Sequence, residues 1–222
     1  MTIKSSSNFR EITMGKIAPG TLYRSSHPIN NDKQVKEVIL AVNHAKIKTV
    51  INLSDSIQSL QSRIIYCPWY KMIYDKNYFI ALNVSMKFSI MEKEFLGKMQ
   101  DAVVFMAEND PPYLIHCEAG IDRTGFLSVL LGSFMGAQFD DMVKDYMLSF
   151  VDNSEYSAND RKSGSLFLSN LFSIMKGELL NSNDDLQLLA KNYLKENVKI
   201  KNNTLLVLKN KLSNHFGSIT PK

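Results

Sequence analysis

Cysteine is scarce in this chain, and its scarcity excludes a disulfide framework. Cys67 and Cys117 are the only cysteines among 222 residues, which is too few to staple a fold together. A cysteine that acts as a reduced thiolate needs a reducing compartment. The chemistry expected of these thiols therefore favours the inside of a cell.

Long apolar runs and a strong net charge are also absent. No run approaches the roughly 20 apolar residues of a membrane span, so we predict no membrane span. The net charge is only +4, which does not call for nucleic acid but suits a phosphorylated partner. Residues 1–9 are polar and serine-rich, so we expect no signal peptide and a cytoplasmic location, with export by a signal-less route left open.

The pattern of apolar residues predicts strands that alternate with helices. Hydrophobic residues make up 45% of the chain, which supports a full core, and the length indicates one large domain or a domain with a small appendage. Buried strands are predicted over 48–53, 78–84 and 113–115, and helices over 30–44, 89–108, 124–135, 140–150, 165–180, 184–196 and 203–215. This alternation implies an α/β fold with a central, mostly parallel sheet flanked by helices. We expect a single domain, residues 1–222, with its core at about 9–150 and extra C-terminal helices at about 165–215.

Three local signals mark where helices start and stop. Residues 89–92 read Ser-Ile-Met-Glu, which predicts a capping box at a helix start. Pro68, within Cys-Pro-Trp, interrupts any helix between residues 56 and 77. Gly136 is placed to end the helix that starts near residue 124.

The most informative stretch is residues 113–125, where an apolar strand leads into a short loop and then into an apolar helix. A strand, a tight loop and a helix N-terminus form an anion site, because successive backbone N–H groups and the helix dipole face the loop. Cys117 opens this loop, and such a site favours the nucleophilic thiolate. Arg123 can hold two oxygens of a tetrahedral anion with a permanent charge. Thr124 can donate a hydrogen bond to the Cys117 sulfur.

The loop residues follow a specific order. They read His116-Cys117-Glu118-Ala119-Gly120-Ile121-Asp122-Arg123-Thr124-Gly125. His-Cys, five residues, Arg and Thr-Gly resembles the signature loop of the cysteine-dependent protein tyrosine phosphatases. A buried cysteine beside a surface arginine is the alternative, but it does not explain the His, the two Gly and the Thr.

The resemblance extends from about Phe9 to Asn214. A Phe-Arg pair at 9–10 and the segment Gly-Thr-Leu-Tyr-Arg-Ser at 20–25 are similar to a bacterial branch of that family, as is the segment 145–149. The resemblance implies a protein-tyrosine-phosphatase-like fold. For Arg24 two interpretations stay open: a buried salt bridge that locks the N-terminal segment, or an arginine on the rim of a phosphate site.

The resemblance also implies a reaction, the hydrolysis of a phosphomonoester through a phosphocysteine. Cys117 would attack phosphorus while Arg123 holds the equatorial oxygens. No metal or cofactor is expected, because the thiolate and Arg123 take that role. His116 would hold the loop in shape through the backbone. The predicted phosphate-binding residues are Glu118, Ala119, Gly120, Ile121 and Thr124.

The leaving oxygen needs a proton, and the sequence offers an unusual donor. Many relatives carry an Asp some thirty residues before the Cys, but residues 82–88 contain no acid, and Lys87 stands where related sequences carry Asp. Asp122, inside the loop, is therefore the predicted general acid, with the alternative that it only orders the loop. Asp55 and Asp75 are weaker candidates.

Several substrates stay open. Phosphotyrosine in a protein fits best, aided by the aromatic-rich segment 66–79, and inorganic phosphate or another oxyanion is expected to bind the site. A phosphoinositide or inositol phosphate comes second, because Glu118 adds negative charge against a polyanionic headgroup. A weakly active member that binds phosphoproteins is the third interpretation. Cys67 is either a resolving thiol for oxidised Cys117 or an idle buried residue.

Overall fold

The computed structural model describes residues 7–29, 32–85, 87, 89–150 and 160–214. Within these residues the strands are β1 (Arg10–Glu11), β2 (Leu22–Ser25), β3 (Thr49–Asn52), β4 (Phe79–Ala81) and β5 (Tyr113–His116). They form one sheet in the order β1-β2-β5-β3-β4. All neighbours are parallel except β1 and β2. The predicted, mostly parallel sheet is confirmed, and β5, which carries the loop, lies at its centre.

Helices cover both faces of the sheet. They are α1 (Asp32–His44), α2 (Ile57–Ile64), α3 (Pro68–Asp75), α4 (Lys93–Glu108), α5 (Asp122–Phe134), α6 (Phe139–Leu148), α7 (Asp160–Lys176), α8 (Leu186–Asn192), a π-helical turn (Tyr193–Asn197) and α9 (Asn202–Leu212). Side chains alternate along a strand, so Leu114 packs among α1–α3 while Tyr113 and Ile115 pack among the later helices. The sheet therefore separates two apolar layers. The predicted cap residues 30–31 and residue 215 lie outside the described residues.

The predicted break at Pro68 is confirmed, whereas the predicted helix start at 89–92 differs from the structure. The segment 56–77 forms two helices, because Pro68 occupies the first turn of α3, where its missing N–H costs nothing. The predicted capping box at 89–92 is wrong. The N–H of Glu92 donates to the Ser89 carbonyl at 3.0 Å, so these residues form a turn, and α4 starts only at Lys93 without a side-chain cap.

Strand β4 is shorter than predicted because the chain turns towards the loop after it. Residues 82–85 leave the strand, and the N–H of Val84 donates to the Leu53 carbonyl at 2.8 Å. Gly136, with φ of +81°, follows α5 in the left-handed conformation that was predicted for a helix end. No helix within the described ranges is long and apolar enough to cross a membrane.

Candidate active site

The predicted loop connects the end of the central strand to a buried helix. Cys117 follows β5 directly, and α5 starts at Asp122, so the strand–loop–helix prediction is confirmed. Parallel strands place their carboxyl ends at one edge of a sheet, where ligands bind in open α/β folds. Cys117 is 2% exposed and Arg123 is 7% exposed. The residues at the two ends of the loop are therefore both buried.

The carbonyl groups of the loop are held from outside by polar groups of the N-terminal segment. The N–H of His27 donates to the Glu118 carbonyl at 3.0 Å. The side-chain amide of Asn8 donates to the Gly120 carbonyl at 2.9 Å and, more weakly, to that of Ala119 at 3.4 Å. In a planar trans peptide the C=O and the N–H point in opposite directions. These contacts therefore turn the N–H groups of the following residues to the opposite side of the loop.

Gly120 allows the loop to approach β2 closely. Its φ is +71°, which favours glycine. A Cβ there would lie 2.4 Å from the Ser25 carbonyl oxygen, well inside van der Waals contact. Ile121, the next residue, is half-buried and packs against the main apolar cluster. The positive φ and the close approach to β2 therefore require glycine at position 120.

Arg123 is anchored by the segment after β4. Its Nη1 donates to the Val84 carbonyl at 3.0 Å. Because Arg123 carries five N–H donors, this bond fixes the guanidinium while other donors stay available for an anion. The neighbouring Thr124 hydroxyl is buried, and no described group bonds to it. The predicted hydrogen bond from Thr124 to the Cys117 sulfur is not formed in this structure.

Arg24 lies in a salt bridge, as the first of the two sequence interpretations predicted. It is 0% exposed, and its Nη1 donates to Asp145 Oδ2 at 2.5 Å. Its Nη2 donates to the Gly120 carbonyl at 2.8 Å. The prediction that Arg24 lies on the rim of the phosphate site is therefore wrong. Arg24 is buried and bonds to the backbone of the loop from inside the protein. The sequence pattern does not single out Asp145 as the partner of Arg24, because the two residues are 121 positions apart in the chain.

His116 belongs to a buried polar network behind the loop that the sequence did not predict. Its Nε2 lies 2.8 Å from the Tyr70 hydroxyl, and that hydroxyl accepts a hydrogen bond from Asn52 at 3.0 Å. Burial, together with the neighbouring His27, lowers the pKa of His116 well below its usual 6.5. The lowered pKa makes His116 a weak proton acceptor. Its partner is a tyrosine hydroxyl, a contact that local pattern could not reveal.

Asp55 completes this network and is unsuitable as an acid. Its Oδ2 lies 2.5 Å from His27 Nε2 and accepts from Asn52 at 2.8 Å. Arg63 pairs with its other oxygen. Burial would raise the pKa of Asp55, but the hydrogen bonds from His27 and Asn52, with the charges of His27 and Arg63, lower it below the ordinary value. Such a carboxylate holds no proton to donate near neutral pH.

The other two candidates for the general acid, Asp122 and Asp75, lie in different parts of the structure. Asp122 is exposed in the first turn of α5, where the Tyr146 hydroxyl donates to its Oδ1 at 3.4 Å. Asp75 ends α3 and pairs with Lys71 at 2.6 Å. Because α3 leads to the amino end of β4, Asp75 lies towards the sheet edge opposite the loop. Lys87 is exposed, and the described part of segment 82–88 presents no carboxylate.

The buried rings of the aromatic segment 66–79 pack on the sheet face opposite Cys117, whereas Tyr66 and Tyr78 are exposed. Trp69 and Tyr70 are buried in the apolar cluster on the α1–α3 face, whereas Cys117 belongs to the cluster on the other face. Tyr78 immediately precedes β4, at the amino end of the strands. These aromatic rings therefore do not support a phosphotyrosine substrate, which corrects the sequence argument.

Cys67 lies in the same α1–α3 cluster and is 1% exposed. Burial raises the pKa of its thiol, despite hydrogen bonds from the backbone of Tyr70 and Trp69. A raised pKa disfavours the thiolate that thiol–disulfide exchange requires. Cys67 therefore fits the interpretation of an idle buried residue.

Comparison with known proteins gives a family match and two structural alignments. A sequence model of the tyrosine phosphatase family matches residues 1–220, whereas no curated protein matches the chain. The core catalytic domain of the PP-IP phosphatase SIW14 from S. cerevisiae, in complex with citrate, aligns at 16% identity over 83% of this chain and 92% of that domain, with a TM-score of 0.43. Another Siw14 catalytic core aligns at 15% identity over 84% of this chain and 91% of that core, with a TM-score of 0.45.

Proposed function

Since the chain belongs to the tyrosine phosphatase family and is a cysteine-dependent phosphatase, we propose that it removes phosphate from tyrosyl residues of proteins through a phosphocysteine on Cys117. The observation that carries this proposal is the loop itself. Its carbonyls are held outwards by Asn8, Arg24 and His27, while Cys117 and Arg123 lie at its two ends. This arrangement supports binding of a tetrahedral dianion directly above a thiol.

The reaction follows from these positions in two displacements. The Cys117 sulfur attacks phosphorus, an S–P bond forms and the P–O bond to the tyrosyl oxygen breaks. Arg123 and the loop N–H groups hold the equatorial oxygens, whose charge must be matched throughout the transfer. Water then attacks phosphorus, the S–P bond breaks and inorganic phosphate leaves. No electrons are exchanged with an external oxidant or reductant.

Asp122 serves as the proton donor of the first step and the base of the second. Its carboxyl group is exposed at the first turn of α5, immediately before Arg123, and so can exchange protons with solvent. The Tyr146 hydroxyl, 3.4 Å from Oδ1, gives it a polar neighbour. The pairing of Asp55 with His27 and Arg63 and the position of Asp75 on α3 support Asp122 as the acid among the three candidates.

Charge at the surface of the loop favours phosphotyrosine over a polyphosphorylated headgroup. Glu118 and Asp122 are both exposed there, and each would repel additional phosphate groups. A single phosphate on a neutral phenol avoids this repulsion. The family membership points to the same substrate class.

A substrate panel tests the proposal. Wild-type protein and Cys117→Ser are assayed with para-nitrophenyl phosphate, phosphotyrosine peptides, phosphoinositides and inositol phosphates. We expect turnover of the aryl phosphate and the peptides, and none by Cys117→Ser, because a serine hydroxyl stays protonated near neutral pH. Faster turnover of the inositol compounds would replace the phosphotyrosine assignment. Peptide binding without turnover would indicate a phosphoprotein-binding member instead.

A further inference from the structure

Arg24 contacts two different parts of the molecule with one guanidinium. Its Nη1 pairs with Asp145 in α6 at 2.5 Å. Its Nη2 donates to the carbonyls of Gly120 at 2.8 Å and Ile121 at 3.4 Å, and to the Ser149 hydroxyl at 3.2 Å. The side chain therefore links α6 to the middle of the catalytic loop. Neither Lys nor any shorter donor offers the same planar fork.

Stability alone does not account for a guanidinium at this position. Arg24 is fully buried, and its Nε–H has no hydrogen-bond partner among the described residues. A buried charge and an orphan N–H both cost free energy, and buried ion pairs can often be replaced by apolar side chains without loss of stability. The hydrogen bonds from Arg24 to the loop provide a functional reason for burying a guanidinium at this position.

The peptide groups that Arg24 holds lie in the middle of the loop between Cys117 and Arg123. The Gly120 carbonyl belongs to the same peptide unit as the Ile121 N–H, and the Ile121 carbonyl to the same unit as the Asp122 N–H. When a carbonyl is held on one side of a trans peptide, its N–H faces the other side. The Gly120 carbonyl accepts hydrogen bonds from both Asn8 and Arg24. Arg24 is the charged donor of the two.

We propose that Arg24 is a positioning residue for phosphoryl transfer: it orients the Gly120–Ile121 and Ile121–Asp122 peptides so that their N–H groups bind the phosphoryl oxygens. Asp145 keeps Arg24 in place, because Arg10 binds the other carboxylate oxygen at 2.9 Å and fixes that carboxylate. This inference rests on the proposed phosphatase reaction and names a residue that never touches the substrate.

The proposal is tested with three variants at the network and one matched control. Arg24→Met removes the donors, Arg24→Lys retains a charge and one donor, and Asp145→Asn weakens the hold on Arg24 at constant size. The control is Tyr113→Phe. Tyr113 is also buried, but its hydroxyl bonds to the carbonyls of Met106 and Asn109 at the amino end of β5, away from the loop.

The measurements are competitive inhibition by orthovanadate, kcat with aryl phosphates of differing leaving groups, and the urea midpoint of unfolding. Loss of a hydrogen bond from a charged donor weakens an interaction by roughly 10-fold to 100-fold. We expect Arg24→Met to weaken orthovanadate inhibition and lower kcat by about this factor, equally for good and poor leaving groups. Arg24→Lys should restore part of the loss, and Tyr113→Phe should lower only the unfolding midpoint.

The outcomes distinguish failure of this inference from failure of the proposed function. If the wild type neither hydrolyses aryl phosphates nor responds to orthovanadate, the phosphatase assignment fails. If the wild type does both and folded Arg24→Met matches it, Arg24 has no positioning role. A parallel loss of orthovanadate inhibition in Tyr113→Phe would also overturn the proposal. Should Arg24→Met not fold, Asp145→Asn gives the same comparison with a smaller expected effect.

Discussion

At the scale of single residues, Arg123 and Asp122 show how adjacent positions take different tasks. Arg123 is buried and bonded to the Val84 carbonyl, so its guanidinium is fixed before any anion arrives. Asp122 is exposed, and its Oδ1 accepts a long hydrogen bond of 3.4 Å from the Tyr146 hydroxyl. A fixed cation suits the binding of phosphate oxygens, whereas an accessible carboxyl group suits proton exchange with water.

Asp122→Asn should slow poor leaving groups much more than good ones. A phenolate of low basicity departs unprotonated, but a tyrosyl oxygen needs the proton that Asn cannot supply. General acid catalysis contributes about 10²- to 10⁴-fold, so the largest losses should approach that range. The measurement is kcat/KM over a series of aryl phosphates at several pH values, where the variant should show a steeper dependence on leaving-group basicity.

Two other results would reassign the acid. A uniform loss across all leaving groups would mean that Asp122 only orders the loop. A silent Asp122→Asn combined with a steepened dependence in Glu92→Gln would move the acid to the segment before α4, since Glu92 lines a small hollow with Val84 and Ser85. Asp55→Asn is a useful comparison, because its carboxylate is already committed to His27.

At the scale of elements, the loop depends on its close approach to β2. Gly120→Ala should destabilise the fold by about 1–3 kcal/mol, because alanine is strained at positive φ, and should reduce activity by displacing the loop. Its Cβ would meet backbone atoms of Ser25 and Ser26, which cannot move without disturbing the sheet. Urea unfolding and aryl phosphate turnover measure the two effects.

Gly97→Ala provides the matched control for this substitution. Gly97 lies inside α4, and a Cβ there meets nothing within 4 Å. Replacing a helical glycine by alanine should raise stability by about 0.5–1 kcal/mol and leave turnover unchanged. Normal activity in Gly120→Ala would show that the loop tolerates a shifted backbone.

The elements around the loop were predictable because their signals are local. The apolar run before Cys117, the loop residues and the apolar helix behind them occupy one continuous stretch, and Gly136 marks the end of that helix. The capping box at 89–92 failed because a turn with the same residues satisfies the backbone equally well. Propensity patterns do not distinguish these two uses of Ser and Glu.

The partners that hold the loop were not predictable for the opposite reason. Arg24 and Asp145 are separated by 121 positions in the chain, and Tyr70 and His116 by 46. Only the folded sheet brings such pairs together, and no periodic pattern encodes them. The use of the aromatic segment 66–79 as support for a phosphotyrosine substrate failed for the same reason. A run of aromatic residues does not indicate which face of the sheet it covers.

At the scale of the whole molecule, the loop is held by both layers that the sheet separates. On the face covered by α4–α9, Arg24 connects it to Asp145. On the face covered by α1–α3, His116 bonds to Tyr70. The ring of His27 bonds to Asp55, and the backbone N–H of His27 donates to the Glu118 carbonyl. The geometry of the loop therefore depends on titratable groups on both faces.

This arrangement predicts that the free energy of unfolding falls as the pH falls below about 6.5. The pKa of His116 is lowered by burial and by His27 and Arg123, against the opposing effect of Asp55. Below about pH 6.5, His116 therefore binds a proton in the unfolded chain but not in the folded chain. The free energy of unfolding decreases as the pH decreases. Asp145, whose pKa is lowered by Arg24 and Arg10 although burial opposes them, adds a further loss below about pH 4.

His116→Gln and Asp145→Asn separate the two contributions. One group that protonates only in the unfolded state changes the unfolding free energy by at most about 1.4 kcal/mol per pH unit. Urea unfolding between pH 7.5 and pH 3 should show the wild-type slope beginning near pH 6.5, where the unfolded chain begins to protonate His116. His116→Gln should flatten the slope between pH 6.5 and pH 4.5, because glutamine keeps a polar group near Tyr70 but does not titrate. Asp145→Asn should leave that range unchanged and flatten only the more acidic part. An unchanged slope in His116→Gln would show that His116 binds a proton equally well in the folded and unfolded chains, and the hydrogen-bonded network behind Cys117 would then become positively charged below pH 6.5.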